Sequence, residues 1–265
     1  MSLYDNPAFL RGYRELRRTG RGINDALEIP AMNAALRAGP EGLLVEGARV
    51  VDLGCGEGGL AVRLAAAGAV EVVAVDASEQ MLAAAEHHPR VSYVRADLAD
   101  FDLPPGSVDL VVSSMALHYV EDFDGLVGRV AGWLTGGGAF VFTIEHPVMT
   151  APFVAEDCVV DDYADEGRRE RSWFVDGVVK YHRTIGSIVA TLRRHGFRLE
   201  IVDEPLPTRE QVAAHPHLAI HRRRPPILLV SACSVPAGDR VVHEPLELLT
   251  GNIGGADEED RRGTG

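Results

Sequence analysis

Residues 50–62 read VVDLGCGEGGLAV, and this stretch decides how the rest of the sequence is interpreted. It spells G-x-G-x-x-G over residues 54–59 and D-x-G-x-G-x-G over residues 52–58, so two nucleotide-binding fingerprints overlap. Both patterns are typical of a β-strand that turns tightly into a helix, where glycines let a ligand approach the backbone. The two fingerprints belong to different cofactors, and the surrounding residues must decide between them.

Short β-rich runs alternate with helical runs from residue 49 onward. The predicted strands are RVVDLG, VEVVAVDA, VSYVRADL, VDLVVSSMAL, GAFVFTIEH, FRLEIVDEPL and PPILLVSACSV. Helices are predicted over residues 58–67, 78–87, 123–134 and 182–194, with Ser78 as one N-cap and Gly196 as a left-handed C-cap. This alternation predicts right-handed crossovers and a mostly parallel sheet with helices on both faces.

The length of 265 residues suits one large domain, which we predict over residues 1–235. Its parts are a helical cap at 1–45, a cofactor-binding core at 49–146, a lid insertion at 147–181, and a last helix and strands at 182–235. The lid is predicted because about thirty residues there lack clear periodicity. The Gly-rich, acidic stretch 236–265 is predicted to be a partly disordered tail.

Composition narrows the classes of partner. A net charge of −13 would repel phosphates, so nucleic acid is not expected and a small molecule is. We find no signal peptide and no run of eighteen apolar residues, so we expect a cytoplasmic protein without a membrane partner. We expect the protein to be a monomer or a homodimer. The three cysteines, Cys55, Cys158 and Cys233, form no C-x-x-C pair, so they are expected to be reduced.

Asp52 distinguishes the two cofactors. A carboxylate just before the first glycine is a poor neighbour for a doubly anionic pyrophosphate, but it suits the ammonium and sulfonium of S-adenosylmethionine. Asp76, after the second strand, fits a ribose-binding role with either cofactor. The only lysine, Lys180, follows Asp176 by four residues, so there is no Tyr-x-x-x-Lys pair for short-chain hydride transfer. No G-K-[ST] follows a glycine loop, which argues against a P-loop kinase.

Several motifs together resemble those of class I S-adenosylmethionine-dependent methyltransferases. They are DLGCGEG at 52–58, Asp76, ADL at 96–98 and VDLVVSSMALHYV at 108–120. Further stretches in the cap, in the lid and at RRPPILLVSA resemble one bacterial subgroup of small-molecule methyltransferases. The resemblance implies a Rossmann-like sheet of seven strands, with the last strand antiparallel.

The same resemblance implies a set of cofactor-binding residues. The loop would hold the methionine part, Asp76 the ribose, and Asp97 with Leu98 the adenine, while Ser113 would face the cofactor. Tyr13 and Arg17, one helical turn apart, could close over the cofactor's carboxylate. The alternative for this pair is ordinary helix packing and a solvated arginine. The complete expected set is Asp52, Gly54, Cys55, Gly56, Asp76, Ala77, Met81, Asp97, Leu98, Ser113, Tyr13 and Arg17.

Two histidines are candidates for taking a proton from the methyl acceptor. His146 ends the fifth strand just before a proline, so it is the first candidate for a general base, and His118 is the second. The alternative for His118 is an imidazole that caps backbone at a helix start. The expected acceptor-binding residues are Tyr119, Trp173, Lys180, His182 and Arg183. Basic lid residues would favour a phenol or carboxylate acceptor.

These observations predict a methyltransferase that acts on an oxygen of a small molecule. Methylation of nitrogen or carbon in a natural product remains an alternative, as does a noncatalytic S-adenosylmethionine-binding protein. No metal is expected, because the histidine tract at 215–221 adjoins three arginines and contains no carboxylate.

Overall fold

The computed structural model describes residues 2–19, 22–37, 44–152 and 161–235. The strands are β1 (Arg49–Leu53), β2 (Glu71–Asp76), β3 (Val91–Arg95), β4 (Val108–Ser114), β5 (Leu134–Glu145), β6 (Gly167–Trp173), β7 (Val175–His182), β8 (Phe197–Asp203) and β9 (Ile227–Ser234). The α-helices are α1 (Pro7–Thr19), α2 (Ile29–Arg37), α3 (Gly59–Ala66), α4 (Glu79–Leu82), α5 (Phe123–Trp133), α6 (Pro147–Thr150), α7 (Ile185–Arg194) and α8 (Arg209–Ala214). Short 3₁₀ helices cover Leu3–Asp5, Leu117–Tyr119 and Pro216–Arg222, and a π-helical turn covers Asn24–Glu28.

Seven strands form one sheet in the order β3-β2-β1-β4-β5-β9-β8. Strands β1 to β5 pair in parallel, and β9 runs antiparallel to both β5 and β8. The predicted Rossmann-like, mostly parallel sheet of seven strands with an antiparallel last strand is confirmed. Because β1 to β4 are parallel, their carboxyl ends meet at one edge, which is where such sheets bind ligands.

Helices cover both faces of this sheet, as predicted. Val51 and Leu53 belong to the buried cluster that includes Trp133 of α5, while Val50 belongs to the cluster that includes Leu64 of α3. Consecutive β1 residues point to opposite faces, so a run of apolar residues in a parallel strand buries both. Trp133 is fully buried and donates its indole N–H to Asp102 at 2.7 Å, so its one polar atom is satisfied.

The cap and the predicted helices agree with expectation in type but not always in length. The two cap helices α1 and α2 are present, and Ser78 accepts from the backbone N–H of Met81 as the N-cap of α4. That helix has only four residues. Gly196 has a φ of 81°, as the predicted C-cap requires, whereas α7 begins only at Ile185 because β7 extends to His182 and Thr184 caps the helix.

The lid contains regular structure that its sequence does not reveal. Strands β6 and β7 form an antiparallel hairpin rather than a segment without periodicity. Three of its inward-facing residues, Arg169, Lys180 and His182, are charged or polar but at most 9% exposed. A strand with polar residues on its buried face does not show the apolar alternation that identifies strands. The predicted tail at 236–265 and Cys158 lie outside the described residues.

No helix in the described ranges is long and apolar enough to cross a membrane.

Candidate active site

The loop between β1 and α3 is built from glycines in the left-handed conformation. The φ angles of Gly54, Gly56 and Gly58 are 76°, 56° and 80°. A Cβ atom added to Gly54 would lie 2.3 Å from the Cβ of Ala116, and one added to Gly58 would lie 2.0 Å from Oη of Tyr93. Other residues are strained in this conformation and have no room here. The loop therefore presents bare backbone at the carboxyl end of β1.

Asp76 fixes this loop against β2. Gly54 donates its backbone N–H to the carbonyl of Val75 at 2.8 Å, and Gly56 donates to Oδ2 of Asp76 at 2.8 Å. Oδ1 of Asp76 accepts from the N–H of Ser78, also at 2.8 Å. Burial raises the pKa of Asp76, while these two N–H donors favour its ionised form. The carboxylate is thus anchored at the carboxyl end of β2, beside the glycine loop.

The residues expected around adenine differ in exposure. Asp97 is exposed after β3 and accepts from the N–H of Ala99 at 2.9 Å, while Leu98 is buried. Ala77 is half-buried between these elements. Met81 is only 3% exposed, and its Cε would be 3.0 Å from a Cβ on Gly56, so its side chain packs against the glycine loop.

Ser113 does not face the crevice. Its side chain is fully buried and donates a hydrogen bond to the carbonyl of Leu53 at 2.7 Å, joining β4 to β1. The next residue along β4, Ser114, turns toward the cap instead. Contact of Ser113 with the cofactor stays a prediction. Cys55 is also buried, and burial raises the pKa of its thiol.

Asp52 is a buried carboxylate without a partner. It is fully buried in β1, and neither oxygen has a hydrogen bond within the described residues, although the N–H of Ala61 lies nearby. Burial, with the charge of Asp76 second, raises the pKa of Asp52 to about 7. A buried charge is costly unless it is paired, so this position calls for a cation.

Arg17 of the cap is a cation with an atom that lacks a hydrogen-bond partner. Its Nη1 atom is buried and has no hydrogen-bond partner among the described residues. The charge of Arg17 acts on Glu28, and the charge of Glu28 acts on Asp52, so the three groups share one region. A molecule with an ammonium and a carboxylate would satisfy Asp52 and Arg17 together. The methionine part of S-adenosylmethionine has both groups, so the residues fit this cofactor.

Aromatic rings of the cap and lid meet above the carboxyl edge of the sheet. The ring centroid of Trp173 lies 5.3 Å from Phe9 and 6.5 Å from Tyr13, both edge to face. Tyr4 lies 5.1 Å from Tyr13 and 6.4 Å from Tyr119. We call these five residues the aromatic cluster. It brings Tyr13, a predicted cofactor-binding residue, together with Tyr119 and Trp173, two predicted acceptor-binding residues.

Lys180 lies in the lid but is already paired. Its Nζ donates to Oε2 of Glu145 at 2.7 Å and lies 5.2 Å from the ring centroid of Trp173. Lys180 is 9% exposed, and a buried ammonium requires such a counter-ion. The charge of Lys180 is therefore balanced by Glu145 in this structure.

His182 and Arg183 are bound to the protein itself. Nε2 of His182 lies 3.0 Å from the carbonyl of Tyr163, which makes it the donor, and Nδ1 accepts from the hydroxyl of Thr150 at 2.8 Å. Arg183 donates to the carbonyl of Glu121 at 2.7 Å. Both side chains are therefore held by protein groups, and their contact with an acceptor stays a prediction.

His146 is the N-cap of α6 rather than a free base. Nδ1 accepts from the N–H of Val148 at 3.1 Å, so Nε2 carries the proton and donates to Glu204 at 2.6 Å. Nδ1 of His118 accepts from the N–H of Glu145 at 3.3 Å. Burial lowers the pKa of both histidines. His146 therefore has no free nitrogen, and the alternative prediction for His118, an imidazole that caps backbone, agrees with its geometry.

Glu28 lies beside the candidate site and was not among the residues expected from the sequence. It lies between Leu27 and Ile29 in the cap and is 3% exposed. A charged residue within an apolar helical stretch was the available signal. No group of three potential metal ligands occurs within the described ranges, including the histidine tract at 215–221.

Comparison with known proteins agrees with this geometry. Residues 50–138 match a family model described as a methyltransferase domain. A structure of an S-adenosylmethionine dependent methyltransferase from Mesorhizobium loti is 43% identical, with a TM-score of 0.72, and the match covers 80% of this chain and 100% of that one. An uncharacterised Haemophilus influenzae protein is 31% identical over 255 residues, which cover 89% of this chain and 98% of the relative.

A third relative is similar over a shorter length. The trans-aconitate 2-methyltransferase of Variovorax paradoxus is 35% identical over 147 residues, which cover 54% of this chain and 49% of that protein. Motifs, sheet order, unpaired site charges and relatives all agree, and the chain belongs to the class I S-adenosylmethionine-dependent methyltransferases, whose cofactor is S-adenosylmethionine.

Proposed function

We propose that the protein transfers the methyl group of S-adenosylmethionine to an oxygen atom of a small-molecule acceptor bound between the cap and the lid. One observation carries the proposal: both carboxylate oxygens of the fully buried Asp52, and the buried Nη1 atom of the half-buried Arg17, have no hydrogen-bond partner in the described part of the chain. An amino acid moiety would pair with both, and each charge-assisted hydrogen bond contributes about 1.5–3 kcal/mol.

The cofactor supplies an electrophilic methyl group, so the chain must position two molecules, exclude water and accept a proton. Asp76 would bind the ribose hydroxyls, and Asp97 with Leu98 would contact the adenine. The aromatic cluster would close over the reacting atoms, because its rings come from both the cap and the lid. Closure in this way removes water from a site before the reaction.

We propose a phenol or carboxylate as the acceptor. The similarity to a trans-aconitate methyltransferase supports an acidic small molecule of this kind. Lys180, His182 and Arg183 would contribute by shaping the lid, since each already binds a protein group. Methylation of nitrogen or carbon is the alternative within the same family.

Transfer is tested with S-adenosylmethionine carrying a labelled methyl group and a panel of phenols, carboxylates and amines. We expect label in phenols or carboxylates with the natural sequence. Gly54→Val should give none, because the added side chain collides with Ala116 and distorts the loop. Label in amines alone would contradict the oxygen acceptor. Tight binding of S-adenosylhomocysteine without transfer to any panel member would favour the noncatalytic alternative.

A further inference from the structure

Glu28 is a buried carboxylate at the carboxyl ends of β4 and β5. Its Oε1 accepts from the hydroxyl of Ser114 at 2.8 Å and from the hydroxyl of Thr143 at 3.0 Å. These hydroxyls come from adjacent strands of the sheet, since Ser114 pairs with Thr143 in the β-ladder. The cofactor's ribose and adenine are assigned to the ends of β2 and β3, so Glu28 lies on the opposite side of β1 from them.

The backbone around this carboxylate is unusual on both sides. Glu28 ends the π-helical turn Asn24–Glu28, where the N–H of Ile29 bonds to the carbonyl of Asn24. Met115, directly after Ser114, has a φ of 53° although it is not glycine. Single π-turns and left-handed residues cost energy and are frequent at functional sites. Here they flank the contact between Glu28 and Ser114 at the end of β4.

One oxygen of Glu28 is available. Both hydroxyl bonds go to Oε1, and Oε2 has no hydrogen bond among the described residues. The charged and titratable groups that act on this carboxylate are Arg17 of α1, Arg63 of α3, Asp52 of β1 and Tyr13 of α1. Burial is the largest influence and raises the pKa of Glu28, which makes its carboxylate a stronger base than an exposed one.

The neighbouring candidates for a base are already occupied. Both nitrogens of His146 have partners, and Nδ1 of His118 accepts from backbone, which leaves that ring with its proton on Nε2. Glu145 is paired with Lys180. Among these residues at the ends of β4 and β5, Glu28 has the unoccupied acceptor atom.

We propose that Oε2 of Glu28 is the general base for methyl transfer, and that the acceptor is therefore a phenol that still carries its proton rather than a carboxylate. This inference rests on the proposed function. The acceptor oxygen forms a bond to the methyl carbon, the carbon–sulfur bond breaks with its electron pair passing to sulfur, and the proton moves from oxygen to Oε2. The products are an aryl methyl ether, the neutral thioether S-adenosylhomocysteine and protonated Glu28.

Two features of the site favour a phenol over a carboxylate. The aromatic cluster offers ring edges and faces that suit a planar acceptor. A carboxylate acceptor is ionised at neutral pH, so it has no proton to donate and would be repelled by the charge of Glu28. A phenol hydroxyl would instead donate a hydrogen bond to Oε2.

A binding experiment tests this without turnover. The probe is 4-nitrophenol, whose absorbance reports its own ionisation, added to protein saturated with S-adenosylhomocysteine. We expect Glu28→Gln to lower the pKa of bound 4-nitrophenol by at least one unit, because the negative charge beside the hydroxyl is removed. Glu200→Gln, an exposed glutamate paired with Arg198, is the charge-matched control and should leave that pKa unchanged.

Glutamine at position 28 can still accept from both hydroxyls, so the fold should be retained, and thermal unfolding checks this. Affinity for S-adenosylhomocysteine should change less than twofold, and a large loss would overturn the inference by making Glu28 a cofactor ligand. An unchanged probe pKa, or no binding of 4-nitrophenol to the loaded natural protein, would also overturn it. Failure of the natural protein to bind S-adenosylhomocysteine would instead contradict the proposed function.

Kinetics supply the second readout. With catechol, which is protonated at neutral pH, Glu28→Gln should lower kcat by roughly 10²- to 10⁴-fold and remove the acidic limb of the pH profile. With 4-nitrophenol above pH 8, where the acceptor is already ionised, the loss should be less than tenfold. Equal losses with both acceptors would assign Glu28 a structural role and overturn the inference, as would transfer to carboxylates alone.

Discussion

Asp52 is the residue on which the cofactor assignment depends, and its burial makes the assignment measurable. Its pKa of about 7 in the folded protein lies far above the value of an exposed aspartate. The unfolded chain ionises near pH 4 while the folded protein still binds the proton, so the folded state loses stability as the pH rises from about 4 to about 7. A cofactor ammonium would relieve this cost.

We predict that Asp52→Asn makes the ligand-free protein more stable relative to the natural protein at pH 8 than at pH 5. The relative gain between these pH values should be about 2–3 kcal/mol, because each unit of pKa shift corresponds to 1.36 kcal/mol. Urea unfolding at the two pH values measures it. The same variant should bind S-adenosylhomocysteine more weakly. An equal stability difference at both pH values would show that ionisation of Asp52 does not destabilise the folded protein.

Roles could be predicted for single residues wherever those residues belong to a recognisable motif. Asp52, the loop glycines and Asp76 could be singled out because their spacing matches a cofactor-binding motif. Glu28, His146 and Lys180 were not, because their roles depend on partners distant in the chain, such as Thr143 for Glu28, which is 115 residues away. No pattern in a single sequence reports whether the nitrogens of a histidine are already bonded.

Cap and lid are the elements whose contact completes the site. Phe174, at the tip of the hairpin formed by β6 and β7, has a φ of 58° and lies against Gly12 of α1. A Cβ on Gly12 would be 2.6 Å from Cδ1 and 2.7 Å from Cγ of that ring. Glycine at this helical position is therefore explained by close packing of the lid.

We predict that Gly12→Ala loosens the lid although alanine favours helix by up to about 1 kcal/mol. The displaced Phe174 ring should also disturb Trp173, so the segment 147–181 should be cut several-fold faster by protease. Gly132→Ala is the matched control, because a Cβ at this helical glycine meets no heavy atom within 4 Å. Equal cutting rates in the two variants would show that the contact with Phe174 does not hold the lid.

Strands and helices could be predicted where apolar residues recur with the period of the element. The strands of the sheet and the helices α3, α5 and α7 follow from apolar patterns, within a few residues at their ends. The lid hairpin does not, because its buried positions include Arg169, Lys180 and His182. The composition of the cap does not reveal its π-helical turn, since a π-turn differs from an α-helix only in that each hydrogen bond spans one more residue.

Across the whole molecule, the residues of the candidate site lie at one edge of the sheet. The parallel strands bring the glycine loop, Asp76, Asp97 and Ser114 to the same side, and the cap adds Arg17 and Glu28. A net charge of −13 opposes polyanionic partners and leaves small molecules as the expected acceptors. The mostly parallel sheet with helices on both faces could be predicted from the alternation of strands and helices, whereas the antiparallel last strand was implied only by the resemblance to methyltransferases.

The central claim is that this edge binds S-adenosylmethionine rather than a dinucleotide. Titration calorimetry of the natural protein with S-adenosylhomocysteine and, separately, with NAD⁺ tests it most directly. We predict binding of one S-adenosylhomocysteine per chain and no measurable heat with NAD⁺, since Asp52 would oppose a pyrophosphate and attract an ammonium. Binding of NAD⁺ without binding of S-adenosylhomocysteine would contradict the account.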